Sequence, residues 1–332
     1  MVDEETIYDE ELSDDLLPTD TSEGGNGELY EHFRVTVDKG QVPARIDKFL
    51  FERMQHSSRN RIQKAAEAGF IHVNGSSVKS NYKVRPDDVI TLMLDRPKHD
   101  NTIEAEDIPL DIVYEDEVLM VINKPAGVAS IPSSLHSNTI ANFIKGYYVK
   151  QEYENQQVHI VTRLDRDTSG LMLFAKHGYA HARLDKQLQR KSIEKRYFAL
   201  VKGNGDLEPE GEIIAPIARD VDSIITRRVA KGGKYAHTSY KVVASYGDIH
   251  LIDIRLHTGR THQIRVHFSH IGFPLLGDDL YGGSLDDGIQ RQALHCHSLS
   301  FYHPFLGRQL ELESPLPDDF NNLITQLSTN TL

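Results

Sequence analysis

The sequence predicts an α+β fold, in which a small α/β unit precedes a larger domain built on a largely antiparallel sheet. Its 332 residues are enough for two or three domains of typical size. Near the start of the chain, two helical patterns precede short strands. Beyond residue 108, many scattered strand patterns and few helical ones are typical of an antiparallel sheet with flanking helices. The sequence contains no internal repeat and no apolar run long enough to span a membrane.

The first 32 residues differ from the rest of the chain in charge. They contain twelve acidic residues and no lysine or arginine, which accounts for the whole net charge of −12 and leaves 37 acidic against 37 basic residues. Such a segment has little to bury, so we predict a disordered tail over residues 1–32. Solvation is one role for this tail, and mimicry of a polyanion is the other.

Two features indicate a cytoplasmic protein. The N-terminus is acidic, whereas a secretory signal peptide begins with basic residues. The single cysteine, Cys296, excludes an internal disulfide and suits a reducing compartment. Nothing in the sequence demands an oligomer, so we expect a monomer.

Residues 33–94 carry the patterns of two helices followed by a small β element. Helical spacing in "ARIDKFLFERM" predicts a first helix. Its buried face consists of Ile46, Phe49, Leu50 and Met54. "SSRNRIQKAAEAG" predicts a second helix that begins after Ser57 or Ser58 and ends at Gly69. One face of this helix carries Ile62, Ala65, Ala66 and Ala68.

Short strands complete this unit and form most of the next one. "FIHVNG" reads as a strand that turns at Asn74-Gly75, and "KVRPDDVITLML" as a turn and a further strand. The polar residues 95–107 predict a linker, and a second domain follows over 108–325. Its strand patterns are "VLMVIN", "LMLFAK", "KRYFALVKG", "TSYKVVASY" and "HLIDIRLHTG". "THQIRVHFSHIG" fits a strand or a helix, and Thr261 as N-cap with Gly272 as stop favours the helix.

The segment "RLDRDTSG" holds the most informative acid of the chain. Asp165 and Asp167 lie among Arg163 and Arg166, and an apolar strand pattern follows. Neighbouring guanidinium groups favour an ionised carboxylate, which is what a nucleophile or a base requires. Taken by itself, the same composition also fits a solvated surface salt bridge.

A first family resemblance lies in the small unit. The helix pair ends in "GFIHVNGSSVK", which resembles the "G-x-V-x-V-N-G" turn of the S4 RNA-binding domain. The resemblance implies that the helix pair and its turn dock on an RNA backbone, with binding that depends strongly on salt. The basic residues expected to contact RNA are Arg45, Lys48, Arg59, Arg61 and Lys64.

A second resemblance covers nearly all of residues 108–320. "RLDRDTSGLMLFAK" is similar to the signature H-R-L-D-x-x-T-S-G-L-L-L-F-A-K of the RluA/RluD family of RNA pseudouridine synthases. "VINKPAG", "EKRYFALVKG", "HTGRTHQIRVHFSHIGFPLLGDDLYGG" and "RQALHCHSLSFYHPFLG" resemble further family motifs in the family's order. The resemblance implies the pseudouridine synthase fold and site-specific isomerisation of uridine in structured RNA, with large-subunit ribosomal RNA as the expected substrate.

The resemblance also implies roles for single residues. Asp165 corresponds to the catalytic aspartate, and Arg163 to a side chain that enters the RNA stack and holds the target uridine out. Tyr197 would pack against the flipped base and assist proton transfer, Ile264 would line the pocket beneath it, and Arg265 would pair with Asp165. The carboxylate would either add to the base or sugar or abstract the ribose 2′ proton, and both routes stay open.

Two further residues are weaker substrate-binding candidates. Lys124 follows a strand and precedes a sharp turn, where it would meet a phosphate or a sugar, or only support the turn. Arg260 precedes the predicted helix start at Thr261, where free backbone N–H groups could hold a phosphate. The alternative is a capped helix with a surface arginine.

The implied reaction involves neither redox change nor hydrolysis, so we expect no cofactor. We also expect no metal, because the histidines near the two C-terminal motifs lack the paired spacings of zinc sites.

The sequence departs from the family pattern at Thr162, where histidine is usual, and in "VASIPS". The main alternative function is that of a non-catalytic RNA-binding factor. A glycosidase is excluded, because it would need a second catalytic acid at a distance from Asp165 and none stands out.

Overall fold

The computed structural model describes residues 29–54, 59–95, 103–133, 137–153, 155–221, 223 and 225–330. Predictions for residues 1–28 and for an N-cap at Ser57 or Ser58 lie outside these ranges. None of the described helices is both long enough and apolar enough to cross a membrane.

The N-terminal unit consists of a four-stranded antiparallel sheet and two helices. Its elements are β1 (Leu29–Thr36), α1 (Ile46–Arg53), α2 (Arg59–Glu67), β2 (Ile71–Val73), β3 (Ser76–Ser77) and β4 (Val89–Asp95). The strand order is β1-β4-β2-β3. Residues 29–32 were assigned to the disordered tail, whereas the structure places them in β1, which pairs with β4 from Leu29 to Thr36 with one irregularity between Glu31 and Phe33.

The predicted helix faces form the core of this unit, with one exception. Ile46, Phe49, Leu50 and Met54 are at most 1% exposed, and Ile62, Ala65 and Ala66 are also buried. Ala68 is exposed, contrary to the prediction, because α2 ends at Glu67. Asn74 and Gly75 both have positive φ, at 50° and 80°, as the predicted hairpin turn between β2 and β3 requires.

The larger unit is organised around a ten-stranded sheet with helices packed on it. Its strands are β5 (Ile112–Glu115), β6 (Leu119–Lys124), β7 (His159–Ile160), β8 (Ser169–Ala175), β9 (Glu194–Lys202), β10 (Glu210–Ile214), β13 (His237–Tyr246), β14 (Ile249–Leu256), β15 (Leu294–Tyr302) and β16 (Gln309–Glu313). A small separate ribbon consists of β11 (Ile217–Arg219) and β12 (Arg227–Val229). The helices are α3 (Ile140–Lys150), α4 (Gly178–Gln189), α5 (Gln263–His270) and α6 (Asp318–Asn330).

The large sheet is antiparallel almost throughout, as predicted. Its order is β10-β13-β14-β9-β15-β8-β6-β5, with β16 on β15 and β7 on β8. The pair β8–β15 runs parallel and involves Gly170 and Cys296. A Cβ at Gly170 would lie 2.3 Å from the Cys296 carbonyl oxygen, so glycine is needed for this close approach.

Strand β9 shows the predicted alternation. Tyr197, Ala199 and Val201 belong to the main core of the large unit. Leu200 belongs to a second cluster on the opposite face, where Phe198 and α6 also pack. The ambiguous segment forms helix α5, as predicted, and Gly272 follows its end with a φ of +84°. The helix begins one residue later than predicted, since its N-cap is His262 rather than Thr261.

The two units contact each other through α4 and through hydrogen bonds at the end of β1. Tyr179 of α4 is 1% exposed and packs into the core of the N-terminal unit. Thr36, at the end of β1, donates its backbone N–H and its hydroxyl to the carboxylate of Glu117, at 3.1 and 2.6 Å. Helix α6 continues to Asn330, beyond the predicted boundary at 325.

Candidate active site

The turn that carries Asp165 is held by backbone and hydroxyl bonds. Thr168 N–H donates to the Asp165 carbonyl at 3.1 Å, which closes the turn before β8. Ser130 donates its hydroxyl to the Leu164 carbonyl at 2.6 Å. Thr162 is buried and accepts from Leu173 N–H at 2.9 Å. Thr162 and Ser130, which lie where the sequence departs from the family pattern, therefore brace the turn from both sides.

Helix α5 brings Arg265 to the Asp165 carboxylate. Arg265 Nη1 donates to Asp165 Oδ2 at 3.3 Å. The same guanidinium makes two shorter bonds to the fully buried Asp278, at 2.7 Å from Nε and 2.8 Å from Nη2. Burial alone would lower the pKa of Arg265, but the bonds to Asp278 and the charge of Asp165 raise it above its ordinary value. Arg265 is thus a fixed cation at the edge of the Asp165 carboxylate.

His262 and Tyr281 complete the surroundings of this carboxylate. His262 Nε2 lies 3.9 Å from Asp165 Oδ2, and its Nδ1 lies 2.8 Å from the Tyr281 hydroxyl. The Tyr281 oxygen accepts from the backbone N–H of Arg227 at 2.9 Å. With the Tyr281 proton donated to Nδ1, the imidazole carries its own proton on Nε2, facing Asp165. Burial lowers the pKa of His262, which keeps the ring neutral at pH 7.

Tyr197 and Ile264 form the apolar side of the same region. Both side chains are 4% exposed and belong to the main core. Burial raises the pKa of Tyr197 well above its ordinary value, and the charges of Cys296 and Asp165 raise it further. Tyr197 is therefore a neutral phenol on which the charge of Asp165 acts. Arg163, two residues before Asp165, is exposed at the rim.

Comparison with known proteins identifies the family of the chain. A family described as RNA pseudouridylate synthase matches residues 118–270, and the S4 domain matches residues 44–90. An uncharacterised RNA pseudouridine synthase, YlyB of Bacillus subtilis, is 40% identical over 299 residues, which cover 89% of this chain and 98% of the relative. The chain belongs to the RNA pseudouridine synthase family. It is an RNA-modifying isomerase with an N-terminal S4 domain.

Further relatives of the synthase carry more specific names. Ribosomal large subunit pseudouridine synthase D of Vibrio parahaemolyticus is 38% identical over 311 residues, which cover 89% of this chain and 94% of the relative. Among solved structures, the human RNA pseudouridylate synthase domain containing 4 aligns with a TM-score of 0.55 at 23% identity. That alignment covers 65% of this chain and 92% of the human chain, and it shows the shared fold.

Lys124 of the synthase is enclosed by the protein, and its ammonium group is hydrogen-bonded to the backbone. It is fully buried, and its ammonium donates to the carbonyl oxygens of Pro125, Val128 and Arg166, each at 2.7 Å. All three donors are used, so Lys124 cannot reach a phosphate or a sugar. The prediction of Lys124 as a substrate ligand is wrong, and the alternative of a supported turn is correct. It ties the turn after β6 to the loop that carries Asp165.

Arg260 is exposed but partly engaged. Its Nε donates to the carbonyl oxygen of Tyr235 at 3.0 Å, and its backbone N–H donates to Gln263 Oε1 at 3.0 Å. Gln263 therefore fixes the loop before α5. Arg260 is exposed at the place where the sequence predicted a phosphate contact.

The basic residues of the S4 domain include two arginines that share one buried carboxylate. Asp47 is fully buried and accepts hydrogen bonds from Arg45 at 3.0 and 3.1 Å, from Arg59 at 3.2 Å and from Gln63 at 2.8 Å.

The other basic residues predicted to contact RNA make fewer contacts within the domain. Lys48 lies 3.8 Å from Glu52 on the exposed face of α1. Lys64 is exposed, and the side chain of Arg61 lies outside the described residues.

The histidines of the C-terminal motifs do not gather around a metal site. His295 lies 2.9 Å from the Ser169 hydroxyl, and His297 stacks on Phe198 at a centroid distance of 3.9 Å. Within the described residues, no group of three or more His, Cys, Asp or Glu side chains is placed to hold a metal ion.

The sequence did not single out Asp278 or Tyr281, although both lie in the quoted segment "GDDLYGG". Their roles depend on a loop that returns to α5 after the helix has ended. The sequence signal that could have identified them is the presence of an acid and an aromatic residue within 16 positions of Arg265.

Proposed function

We propose that the synthase isomerises uridine in large-subunit ribosomal RNA, with Asp165 as its catalytic carboxylate. The contact between Arg265 and Asp165, at 3.3 Å, carries this assignment, and the buried Tyr197 is close enough for the charge of Asp165 to raise its pKa. An aspartate so placed is oriented by Arg265 and is still accessible to a substrate, because its side chain is 28% exposed. Relatives named as large-subunit synthases support the choice of RNA.

The chemistry requires one well-placed carboxylate. The C1′–N1 bond of the uridine breaks, the uracil turns, and a C1′–C5 bond forms. C5 loses its proton to water and N1 takes up a proton, so the nucleotide is isomerised with no change in composition. Asp165 acts either by adding to the base or sugar or by abstracting the ribose 2′ proton. In either route the base must leave its stack, as with other base-modifying enzymes.

Residues around the carboxylate would stabilise the flipped nucleotide. Unstacking costs a few kcal/mol, and stacking on an aromatic side chain is worth about 1–3 kcal/mol per base. We assign the stacking role to Tyr197 and the floor beneath the base to Ile264. Arg163, exposed at the rim, would fill the vacated place in the RNA stack, and Arg260 would contact a phosphate.

The S4 domain would hold the RNA outside the cleft. Exposed cations on its helix pair suit contacts with the phosphate backbone, and each neutralised phosphate makes affinity more dependent on salt. The residues assigned to this surface are Arg45, Lys48, Arg59, Arg61 and Lys64. Asp47 would act indirectly, since it fixes the directions of two of these arginines.

The organisation of the whole chain follows from these assignments. We propose an acidic tail, an S4 domain that starts with β1, a linker over residues 95–107 and a catalytic domain from 108 to the end of α6. We place the enzyme in the cytoplasm as a monomer that acts on ribosomal RNA or on a ribosomal precursor.

Tritium release provides the direct test. The purified enzyme is incubated with large-subunit RNA transcribed with [5-³H]uridine, and with tRNA transcripts in parallel. We expect tritium in water only with the large-subunit RNA, and a pseudouridine missing from the same RNA of a deletion strain. Release from tRNA alone would overturn the choice of substrate, and release from neither RNA would overturn the function.

A further inference from the structure

His262 adopts a backbone conformation that most residues with a side chain avoid. Its φ of 57° and ψ of 21° lie in the left-handed region, which glycine adopts most readily because it has no Cβ. Residues held there against this preference cluster at active sites and ligand clamps. The loop before α5 thus favours glycine at residue 262, so the reason for a histidine has to be sought in its side chain.

The contacts of the imidazole indicate which nitrogen carries the proton. His262 Nδ1 lies 2.8 Å from the Tyr281 hydroxyl, and the same oxygen accepts from the backbone N–H of Arg227 at 2.9 Å. With the Tyr281 proton donated to Nδ1, the proton of the neutral ring is on Nε2. The opposite tautomer would direct an Nε2 lone pair at the Asp165 carboxylate, which is unfavourable, so we assign the proton to Nε2.

A gap separates His262 Nε2 from the Asp165 carboxylate. Nε2 lies 3.9 Å from Asp165 Oδ2, which is too long for a hydrogen bond. Among the described residues, no other group accepts a hydrogen bond from Nε2. The side chains of His262 and Asp165 are 15% and 28% exposed, so neither is sealed from the surroundings. An oxygen about 2.8 Å from both atoms would complete a hydrogen bond to each.

The group that fits this gap has to accept from Nε2–H and donate to the carboxylate. A single atom that does both is a hydroxyl oxygen. The uracil base offers its donor and its acceptors on separate atoms, N3–H and two carbonyl oxygens. Within an RNA chain the 3′ and 5′ oxygens are esterified, so the one hydroxyl of the target nucleotide is the ribose 2′-OH, which is both donor and acceptor. This hydroxyl lies on the carbon next to C1′, where the glycosidic bond is exchanged.

We propose that His262 and Asp165 bind the 2′-OH of the flipped-out uridine between them, and that this contact selects RNA over DNA. His262 donates to the 2′ oxygen, and Asp165 accepts from the 2′ hydroxyl proton. Tyr281 is a positioning residue, because its bond to Nδ1 keeps the proton of His262 on Nε2. This inference rests on the proposed function for its substrate.

The test compares binding of two synthetic RNAs that differ only in the 2′-OH of the target nucleotide. Each RNA covers the segment around the uridine that the wild-type enzyme modifies, with either uridine or 2′-deoxyuridine at that position. All proteins carry Asp165→Asn, so that binding is measured without turnover, and the asparagine oxygen can still accept from a hydroxyl. The quantity of interest is the Kd for the 2′-deoxyuridine RNA divided by the Kd for the uridine RNA.

Three further substitutions are made in this background. His262→Asn tolerates the left-handed backbone and keeps an acceptor for Tyr281 near the position of Nδ1, but it has no donor at the position of Nε2. His262→Gln reaches the position of Nε2 with an amide N–H. His270→Asn is the matched control, because His270 is an exposed histidine on the same helix.

We expect the parent to show a Kd ratio of about 5–10, as for one hydrogen bond. His262→Asn should weaken binding of the uridine RNA alone and bring the ratio to within about twofold of 1. His262→Gln should retain part of the ratio, and His270→Asn should retain all of it. A parent that does not distinguish the two RNAs would overturn the proposal. The same holds if His262→Asn weakens both RNAs equally, since that would indicate a purely structural role.

A second variant decides if His262→Asn does not fold. Tyr281→Phe removes the proton that holds Nδ1 as an acceptor, so the ratio should fall, and an unchanged ratio would count against the proposal. Wild-type enzyme is assayed in parallel for tritium release from the uridine RNA. No release would be a failure of the proposed function, whereas release together with unchanged ratios would be a failure of this inference alone.

Discussion

Arg265 binds Asp278 with two hydrogen bonds, at 2.7 and 2.8 Å, and so presents its remaining terminal nitrogen to Asp165. Asp278 is 1% exposed and Arg265 is 6% exposed, so this pair is buried. The guanidinium also lies over the ring of Tyr281, at 4.8 Å from the centroid. The direction of the Arg265–Asp165 contact is thus set by a carboxylate that is itself buried.

Replacing Asp278 by alanine should impair both folding and turnover. Removing one partner of a buried ion pair typically costs about 3–5 kcal/mol, since the other charge is left uncompensated. The free energy of unfolding, measured in urea, should fall by that amount, and tritium release should fall with it. Asp107→Ala is the control, because it breaks an ion pair with Lys150, at 3.0 and 3.1 Å, in which both side chains are exposed. That change should cost less than about 1 kcal/mol, and an equal cost in both variants would contradict the buried-pair argument.

Asp165→Asn should abolish pseudouridine formation while leaving the fold and RNA binding intact. The amide keeps an oxygen for Arg265 but can neither add to the nucleotide nor accept a proton at neutral pH. Tritium release measures turnover, and a filter-binding assay measures RNA affinity. Asp167→Asn is the matched control, since Asp167 pairs with the exposed Arg166 at 2.9 Å and makes no contact with Arg265, so it should be dispensable. Turnover retained in Asp165→Asn would remove Asp165 from the mechanism.

Lys124→Met should destabilise the turn beneath the active site. The substitution leaves three carbonyl oxygens without their donor, and each buried unsatisfied group costs about 1–3 kcal/mol. One of these oxygens belongs to Arg166, so the loop of Asp165 should shift and kcat should fall more than RNA affinity. Thermal unfolding and single-turnover kinetics measure the two effects. Lys150→Met, which removes an exposed lysine paired with Asp107, should change neither quantity.

Acid should weaken the S4 domain through Asp47. Burial alone would raise the pKa of Asp47, but bonds from Arg45 and Gln63 and the charges of Arg45 and Arg59 lower it from 3.8 to about 2. A carboxyl with a lowered pKa stabilises the fold fully above its unfolded pKa, and this contribution is lost as pH falls through the folded one. Asp47→Asn should therefore cost about 1–2 kcal/mol at pH 7.

Urea unfolding from pH 7 down to pH 2 tests this dependence on pH. The wild type and Asp47→Asn should converge between about pH 4 and pH 2. Asp38→Asn serves as the control, because Asp38 is largely exposed in its pair with Arg53 and should show almost no difference at any pH. A gap that persists undiminished at pH 2 would mean that the charge of Asp47 is not its source.

Local patterns predicted the elements well, and tertiary contacts account for what they missed. The alternation in β9 and the helical spacing in α1 depend only on neighbouring residues, so both could be predicted from the sequence. The acidic composition around Leu29 concealed a strand whose stability comes from β4, some 60 positions later. The role of Lys124 could not be decided, because two of its acceptors follow it directly while the third, Arg166, belongs to another motif.

Cys296 lies on β15, the strand between β8 and β9 in the large sheet, and its burial there makes site-directed labelling of the protein simple. Cys296 is the single thiol of the chain, it is 0% exposed, and burial raises its pKa to about 11. Alkylating reagents should therefore not react with the Cys296 thiol until the centre of the sheet unfolds, so its modification measures global unfolding. A fluorophore or spin label attached to an introduced surface cysteine would need no prior removal of the native thiol.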